Sequence, residues 1–186
     1  MDKQSSAAAQ SARPRVTRDL CLDQNTAATD VLDAVDAVLN NYATRGVFQY
    51  NRMKRRKNGT GEYNFGWLYG QPFTLTCDPR HKRLLLIDLL PGVQRDSLMH
   101  KQVKAFLKGR AGAGVPEHRR VDPQRMTALA RARDGLVSLE LTLAQADCEA
   151  YALGARKIIN LAHELFLFMN EYWADYMWQT FRLGME

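Results

Sequence analysis

The spacing of the apolar residues changes several times along the chain, and this change constrains the fold more than any other feature of the sequence. Apolar residues recur at helical spacing after residue 26, at every second position between residues 47 and 90, and at helical spacing again after Gln94. Strand side chains repeat every two residues and helix side chains about every 3.6, so one element cannot serve both patterns. The chain therefore predicts separate runs of helices and strands.

The first helix is predicted to begin near Thr26, with Thr26 or Thr29 as its N-cap. Asp30 and Asp33 fall in its first turns, where the helix dipole favours acidic side chains. Gly46 ends it. Its apolar face is formed by Val31, Leu32, Val35, Val38 and Leu39.

Residues 47–90 predict an antiparallel meander of three or four strands. The turn residues Asn58 to Gly61 tolerate positive φ and join the first two strands. The second strand carries an aromatic residue at every second position, namely Tyr63, Phe65, Trp67 and Tyr69. The segment KRLLLIDLL predicts a largely buried strand, in which Asp88 is expected to be an ion-paired structural acid.

The second half of the chain predicts a helix, a hairpin and a long final helix. Leu98, Met99, Val103 and Phe106 share one helical face, and Asp134-Gly135 marks a hairpin turn. The long helix extends from about residue 144 to residue 181 without a proline.

These elements predict an α+β fold, an antiparallel sheet in the order α-β-β-β-α-β-β-α with the long C-terminal helix packed on the sheet. Residues 1–25 are predicted to be a disordered tail and residues 26–186 a single domain. The final helix is apolar around most of its circumference, which indicates that more than one side of it is covered. A second subunit or a bound partner is expected on one side.

The composition fits a cytoplasmic protein. The chain of 186 residues has a net charge of +6 and is 46% hydrophobic. Cys21, Cys77 and Cys148 are too widely spaced for a zinc site or a disulfide framework. No signal-peptide apolar run precedes the first helix, and acidic and polar residues interrupt the long one. We therefore expect a reduced compartment and no membrane span.

The hairpin after residue 50 has two interpretations. Five cationic side chains lie just before its turn: Arg52, Lys54, Arg55, Arg56 and Lys57. Together with the aromatic residues of the returning strand, they resemble a surface that neutralises phosphates and stacks bases. Alternatively, the aromatic residues face the core and the charges lie on a solvated hairpin tip.

No motif of this chain predicts a catalytic centre or a metal site. The segment HELFLF begins like a zinc-protease helix, but Leu167 occupies the position of the second ligand, four residues after His163. GRAGAGV follows a helix, whereas phosphate-binding loops lead from a strand into a helix. We therefore predict no catalytic residue, no metal and no cofactor.

The order of elements resembles the bacterial type III secretion chaperone-like fold and, within it, the YbjN family. The similarity is carried by apolar spacing over about residues 26–182, in the segments RLLLIDLLPGV, SLMHKQVKAFL, VPEHRRVDPQRMTALARARDGLVSLELTL and ALGARKIINLAHELFLFMNEYW. This resemblance implies a non-enzymatic, usually dimeric domain without a cofactor, which docks an extended segment of a protein client or regulatory partner.

We accordingly predict a protein-binding function, as a chaperone or regulatory adaptor, and we expect the aromatic stripe and the final helix to contact the partner. The residues assigned to partner binding are Tyr63, Phe65, Trp67, Tyr69, Phe168, Trp173, Met177 and Trp178. The alternative is a nucleic-acid-binding module that uses Arg52, Lys54, Arg55, Arg56 and Lys57.

Overall fold

The structure, a computed structural model, describes residues 16–183. The helices in this range are Val16–Thr44 (α1), Leu98–Gly109 (α2), Cys148–Tyr172 (α3) and Ala174–Phe181 (α4). The strands are Asn51–Arg55 (β1), Gly61–Trp67 (β2), Gln71–Asp78 (β3), Arg83–Pro91 (β4), Met126–Arg133 (β5) and Leu136–Leu143 (β6). The predicted α+β class is confirmed. The first run contains four strands, one more than in the predicted order, and a short helix is added at the end.

The strands form one antiparallel six-stranded sheet in the order β1-β2-β3-β4-β6-β5. The first meander supplies β1 to β4 and the later hairpin supplies β5 and β6, so β4 and β6 join the two halves of the chain. The hairpin turn at Asp134-Gly135 is confirmed, and both residues have the positive φ that a tight turn of this kind requires.

The core lies on one face of the sheet. Side chains at alternate positions of β2, β3, β4 and β6 are buried there under the helices. The phenol of Tyr63 in β2 donates a 2.7 Å hydrogen bond to the carbonyl of Leu32 in α1. Helix α3 approaches β4 and β6 so closely that a Cβ at Gly154 would lie 2.9 Å from Leu143 and 3.0 Å from Leu84. The opposite face carries half-buried and polar side chains such as Thr74 and Thr76.

Three boundaries differ from the predictions. Helix α1 begins at Val16 and not near Thr26, so residues 16–25 belong to this helix, while the rest of the predicted tail lies outside the described residues. The first strand begins at Asn51 and not at residue 47, because Gln49 and Tyr50 both pair with Gly66 and interrupt the alternation. The predicted long helix breaks at Trp173, which separates α3 from α4.

Asp88 also differs from its prediction. It is exposed and has a φ of 50°, at a register shift between Leu86 and Leu90 on β4. Its backbone N–H donates a hydrogen bond to Oγ of Ser138 at 3.0 Å. Asp88 therefore shapes a bulge, a role that aspartate fills because it tolerates the left-handed region better than most residues.

Candidate binding groove between α2 and β5

Within the described part of the chain, strand β5 is one edge of the sheet, because β6 is its only neighbour in the strand order. In an antiparallel ladder, the N–H and C=O groups of alternate residues point to opposite sides of the strand. The N–H of Ala144 donates to the carbonyl of Arg125 at 2.9 Å, which places the odd-numbered residues of β5 towards β6. The backbone groups of Ala128, Ala130 and Ala132 therefore point outward from the sheet.

These alanines leave space beside that edge, and Ala128 and Ala130 line it. Their side chains lie on the helix-covered face, where they are half-buried. Because alanine ends at Cβ, it does not fill the gap to α2, and a cavity of about 450 Å³ remains. The cavity is lined by Lys104, Ala105, Leu107, Lys108, Ala111, Val121, Pro123, Met126, Thr127, Ala128, Leu129 and Ala130. We call this cavity, with the free edge of β5, the α2–β5 groove.

The wall that α2 contributes has a capped N-terminus and contacts with α3 and Trp173. Ser97 caps the helix by accepting a 3.2 Å hydrogen bond from the N–H of His100. Gln102 accepts a 2.6 Å hydrogen bond from Nε1 of Trp173, the residue between α3 and α4. The Phe106 ring packs against Phe168 of α3 with centroids 5.0 Å apart. The last two contacts fix α2 against α3 and the residue that follows it.

The rim of the groove is positively charged. Helix α2 contains Lys101, Lys104 and Lys108 and no acidic residue, and the last two line the cavity. Arg131 and Arg133 extend from β5 on the open face of the sheet, with the Arg131 guanidinium held by Glu140 through hydrogen bonds of 2.7 and 3.1 Å. An apolar floor with a cationic rim favours a ligand that combines apolar and acidic groups.

Four residues assigned to partner binding belong to the core, which corrects that prediction. Tyr63, Phe65 and Met177 are fully buried and Trp67 is 6% exposed. The Phe65 ring stacks on Phe48 at 4.3 Å, and Trp67 meets Phe166 of α3 edge-on at 5.7 Å. The stripe on β2 thus faces the helices, as the alternative interpretation of the hairpin proposed.

The other four do not form one surface. Tyr69 is 78% exposed in the turn between β2 and β3. Phe168 and Trp173 are half-buried against α2, and Trp178 lies under the guanidinium of Arg182, whose Cζ is 5.6 Å from the ring centroid. Their partner binding stays a prediction, and only Phe168 and Trp173 contact an element of the α2–β5 groove among the described residues.

The five hairpin cations are all exposed, but two of them form ion pairs with other described residues. Arg55 forms an ion pair with Asp33 of α1, and Arg56 forms one with Glu62 of β2. The hydrogen-bonded Arg56 guanidinium lowers the pKa of the Glu62 carboxyl below its ordinary value. Arg52 lies over the Tyr50 ring at 5.3 Å. Because Phe65 and Trp67 face the core, the cations have no adjacent platform of exposed β2 rings for stacking bases.

The segment HELFLF forms ion pairs and not a metal site in the described part of the chain. The acid of HELFLF, Glu164, forms ion pairs with Arg110 at 2.6 Å and with Arg119 at 3.7 Å. Within the described part of the chain, no three His, Cys, Asp or Glu side chains are grouped to hold a metal ion. The helices in the same range are too short or too polar to cross a bilayer.

Sequence reasoning missed the α2–β5 groove, although part of its signal is visible in the segment MTALARAR. Alanine alternates there with leucine or arginine, which marks a strand with small residues on one face. That α2 lies beside this strand, and that the strand is an edge, depends on the order of the whole sheet.

Comparisons of the chain with family models, curated proteins and solved structures found no match. The fold and the groove define the chain as an α+β protein with a one-sided, helix-covered antiparallel sheet.

Proposed function

We propose that the protein binds an extended segment of a partner protein, which adds to the sheet as a strand beside β5. The observation that carries this proposal is the free backbone edge of β5 beside an apolar cavity. Edge strands commonly recruit extended peptides in this way, since main-chain hydrogen bonds supply affinity and pockets for alternate side chains supply specificity.

The groove also limits the chemistry of the segment. Alternate side chains of an added strand enter the cavity beside Ala128 and Ala130, so they are apolar. The residues between them point to the open face of the sheet, where acidic side chains meet the guanidinium of Arg133, which is 92% exposed. The proposed ligand is therefore an extended segment of alternating apolar and acidic residues.

A fluorescein-labelled peptide of eight alternating valine and glutamate residues tests the proposal by fluorescence anisotropy. We expect binding that weakens with salt, because the rim contributes electrostatic attraction. A valine–lysine peptide is expected not to bind. The backbone N–H groups of alternate peptide residues point to opposite sides of an added strand, so only one of the two sets faces β5. We expect N-methylation of the set that faces β5 to weaken binding at least about tenfold, and N-methylation of the other set to have little effect. Equal effects of the two sets would contradict strand addition.

Two proline variants identify the edge that is used. Ala130→Pro removes an outward N–H from β5 without removing a bond to β6, and we expect it to abolish peptide binding. Arg55→Pro is the matched control on the other edge strand, β1, where the N–H of Arg56 pairs with the carbonyl of Thr60 and the groups of Arg55 point outward. Loss of binding in Arg55→Pro alone would place the peptide on β1 and overturn the assignment to the groove. Circular dichroism verifies the fold of both.

The resemblance to the YbjN family and the predicted homodimer stay predictions, and the groove does not depend on them.

The nucleic-acid alternative is tested separately with a labelled single-stranded oligonucleotide. Arg52→Glu with Lys54→Glu reverses two hairpin charges that have no carboxylate partner among the described ion pairs. Oligonucleotide binding that this variant removes, together with no binding of the valine–glutamate peptide, would favour the alternative function.

A further inference from the structure

A second cavity, of about 570 Å³, lies on the other side of Met126 from the α2–β5 groove. It is formed between α3 and the segment that leads into β5. Its lining residues are Glu117, His118, Arg120, Asp122, Arg125, Met126, Leu153, Arg156, Lys157 and Asn160. A volume of this size lies within the range of about 300–1,000 Å³ that small-molecule sites occupy.

The lining carries more positive than negative charge. The lining contains four cationic side chains and two carboxylates, those of Glu117 and Asp122. Asp122 is engaged in a turn, where its Oδ1 accepts a 3.0 Å hydrogen bond from the N–H of Gln124. The nearby carboxylate of Glu164 is already shared between Arg110 and Arg119.

The three arginines of the cavity have unused guanidinium groups. Among residues 29–183, the ion pairs involve neither Arg120 nor Arg125 nor Arg156. A guanidinium presents a planar fork of N–H donors that matches the oxygens of a carboxylate or a phosphate. Three such groups around one cavity are suited to a ligand with several anionic oxygens.

Lys157 adds a buried ammonium to the cavity. The residue is 8% exposed, and its Nζ donates a 2.8 Å hydrogen bond to the carbonyl of His118. Burial lowers the pKa of this amine, an effect that the Glu164 carboxylate opposes. An ammonium has three protons to donate, so the bond to His118 leaves donors for a ligand.

From this cavity, its unpaired arginines and its buried ammonium, we infer that the protein binds a small polyanion between α3 and the segment before β5. The shared chemistry of the ligand is a cluster of anionic oxygens, which either a polycarboxylate or a phosphorylated small molecule supplies. This site is separate from the α2–β5 groove and does not depend on the function proposed for it.

Isothermal titration calorimetry of the full chain with citrate and with pyrophosphate tests the inference. We expect at least one of the two anions to bind, with an affinity that falls as salt is raised. The ratio of the two affinities assigns the ligand to the carboxylate or the phosphate class. Absence of binding by both anions at low salt would overturn the inference.

Matched variants locate the binding. Arg120→Gln with Arg125→Gln removes two guanidinium groups from the cavity, and we expect the affinity to fall at least about tenfold. Two exposed arginines elsewhere provide a control with the same change of net charge, Arg80→Gln with Arg95→Gln, for which we expect less than about a twofold change. Equal losses in the two double variants would mean that only the net charge attracts the anion, and would overturn the site.

A second measurement does not depend on these variants. Acetylation of Lys157 by a small reagent is followed by mass spectrometry with and without the bound anion. We expect the anion to protect Lys157 and to leave the exposed Lys82 unchanged. Equal modification of Lys157 in both samples would place the anion elsewhere.

Discussion

Two aromatic residues of one alternating pattern have opposite environments. Trp67 is 6% exposed within a cluster of rings, whereas Tyr69 is 78% exposed. The reason is that β2 ends at Trp67, after which Leu68, Tyr69 and Gly70 all adopt positive φ. Alternation in the sequence continues past the strand end, so it could not predict this change. Two of those three residues are not glycine, which removes the usual turn signal.

We expect Trp67→Ala to lower the free energy of unfolding by about 3–5 kcal/mol, because it leaves a large void among packed rings. Tyr69→Ala serves as the matched control and is expected to change it by less than about 0.5 kcal/mol. Urea denaturation followed by circular dichroism measures both. Similar losses for the two variants would show that the exposed ring is packed against another part of the molecule.

The environment of Asp88 also differs from the one that its sequence neighbours predicted. Its place in the run LLLIDLL predicted an ion pair, but its backbone lies in the left-handed region at a bulge. The bulge arises where β4 pairs with β6, and the two strands are separated by α2 and β5 in the chain. A local pattern does not contain that pairing.

Strand β5 contains two arginines with different roles. Glu140 is 5% exposed on β6, and the Arg131 guanidinium contacts both of its carboxylate oxygens, while Arg83 is 3.8 Å away. Arg133 is 92% exposed, and its ion pair is with its sequence neighbour Asp134. A carboxylate buried on a strand depends on its partner, whereas an exposed pair contributes little to stability.

We therefore expect Arg131→Ala to lower the free energy of unfolding by about 1–3 kcal/mol, because it removes the main partner of a buried charge. Arg133→Ala is expected to change it by less than about 0.5 kcal/mol. Adding Glu140→Gln to Arg131→Ala should recover part of the loss, since no buried charge is then left. Chemical denaturation of the parent chain, the two single variants and the double variant measures these changes. If the double variant recovered no stability relative to Arg131→Ala, the role of the buried charge would be contradicted.

Most helices and strands could be predicted from periodicity, because each has a long apolar pattern of its own. One exception is the break at Trp173, where neither proline nor glycine marks the end of α3. Trp173 is instead fixed by its hydrogen bond to Gln102 on α2, a residue far from it in sequence. The groove could not be predicted for the same reason, since its two walls are separated by the loop after α2.

The molecule as a whole buries several weak acids. Burial raises the pKa of the Tyr63, Tyr151 and Tyr176 phenols above their ordinary value of 10.0, and that of the Cys77 thiol above 9.0. Each group therefore binds its proton more tightly in the folded state than in the unfolded state. Its contribution to stability is complete below the ordinary pKa and is lost as the pH rises towards the raised value.

We expect the free energy of unfolding to fall from about pH 9 upward, by at most about 1.4 kcal/mol per pH unit for each titrating group. Tyr63→Phe removes one ionisable phenol. The stability of this variant relative to the parent chain should therefore improve as the pH rises above 10.0, the ordinary pKa of a tyrosine. Urea denaturation between pH 8 and pH 11 follows both chains. A stability difference that does not change over this range would contradict the buried state of the phenol.

The pairing of β4 with β6 determines what happens when the chain is cut into two fragments. Residues Ala111 to Gly114 are exposed between α2 and β5, and a cut there separates β1 to β4 from β5 and β6. Each fragment then exposes one side of the central β4–β6 ladder and half of the contact between α1 and α3. The two fragments therefore have complementary surfaces, and we expect them to reassemble as a split reporter when two proteins fused to them bind each other.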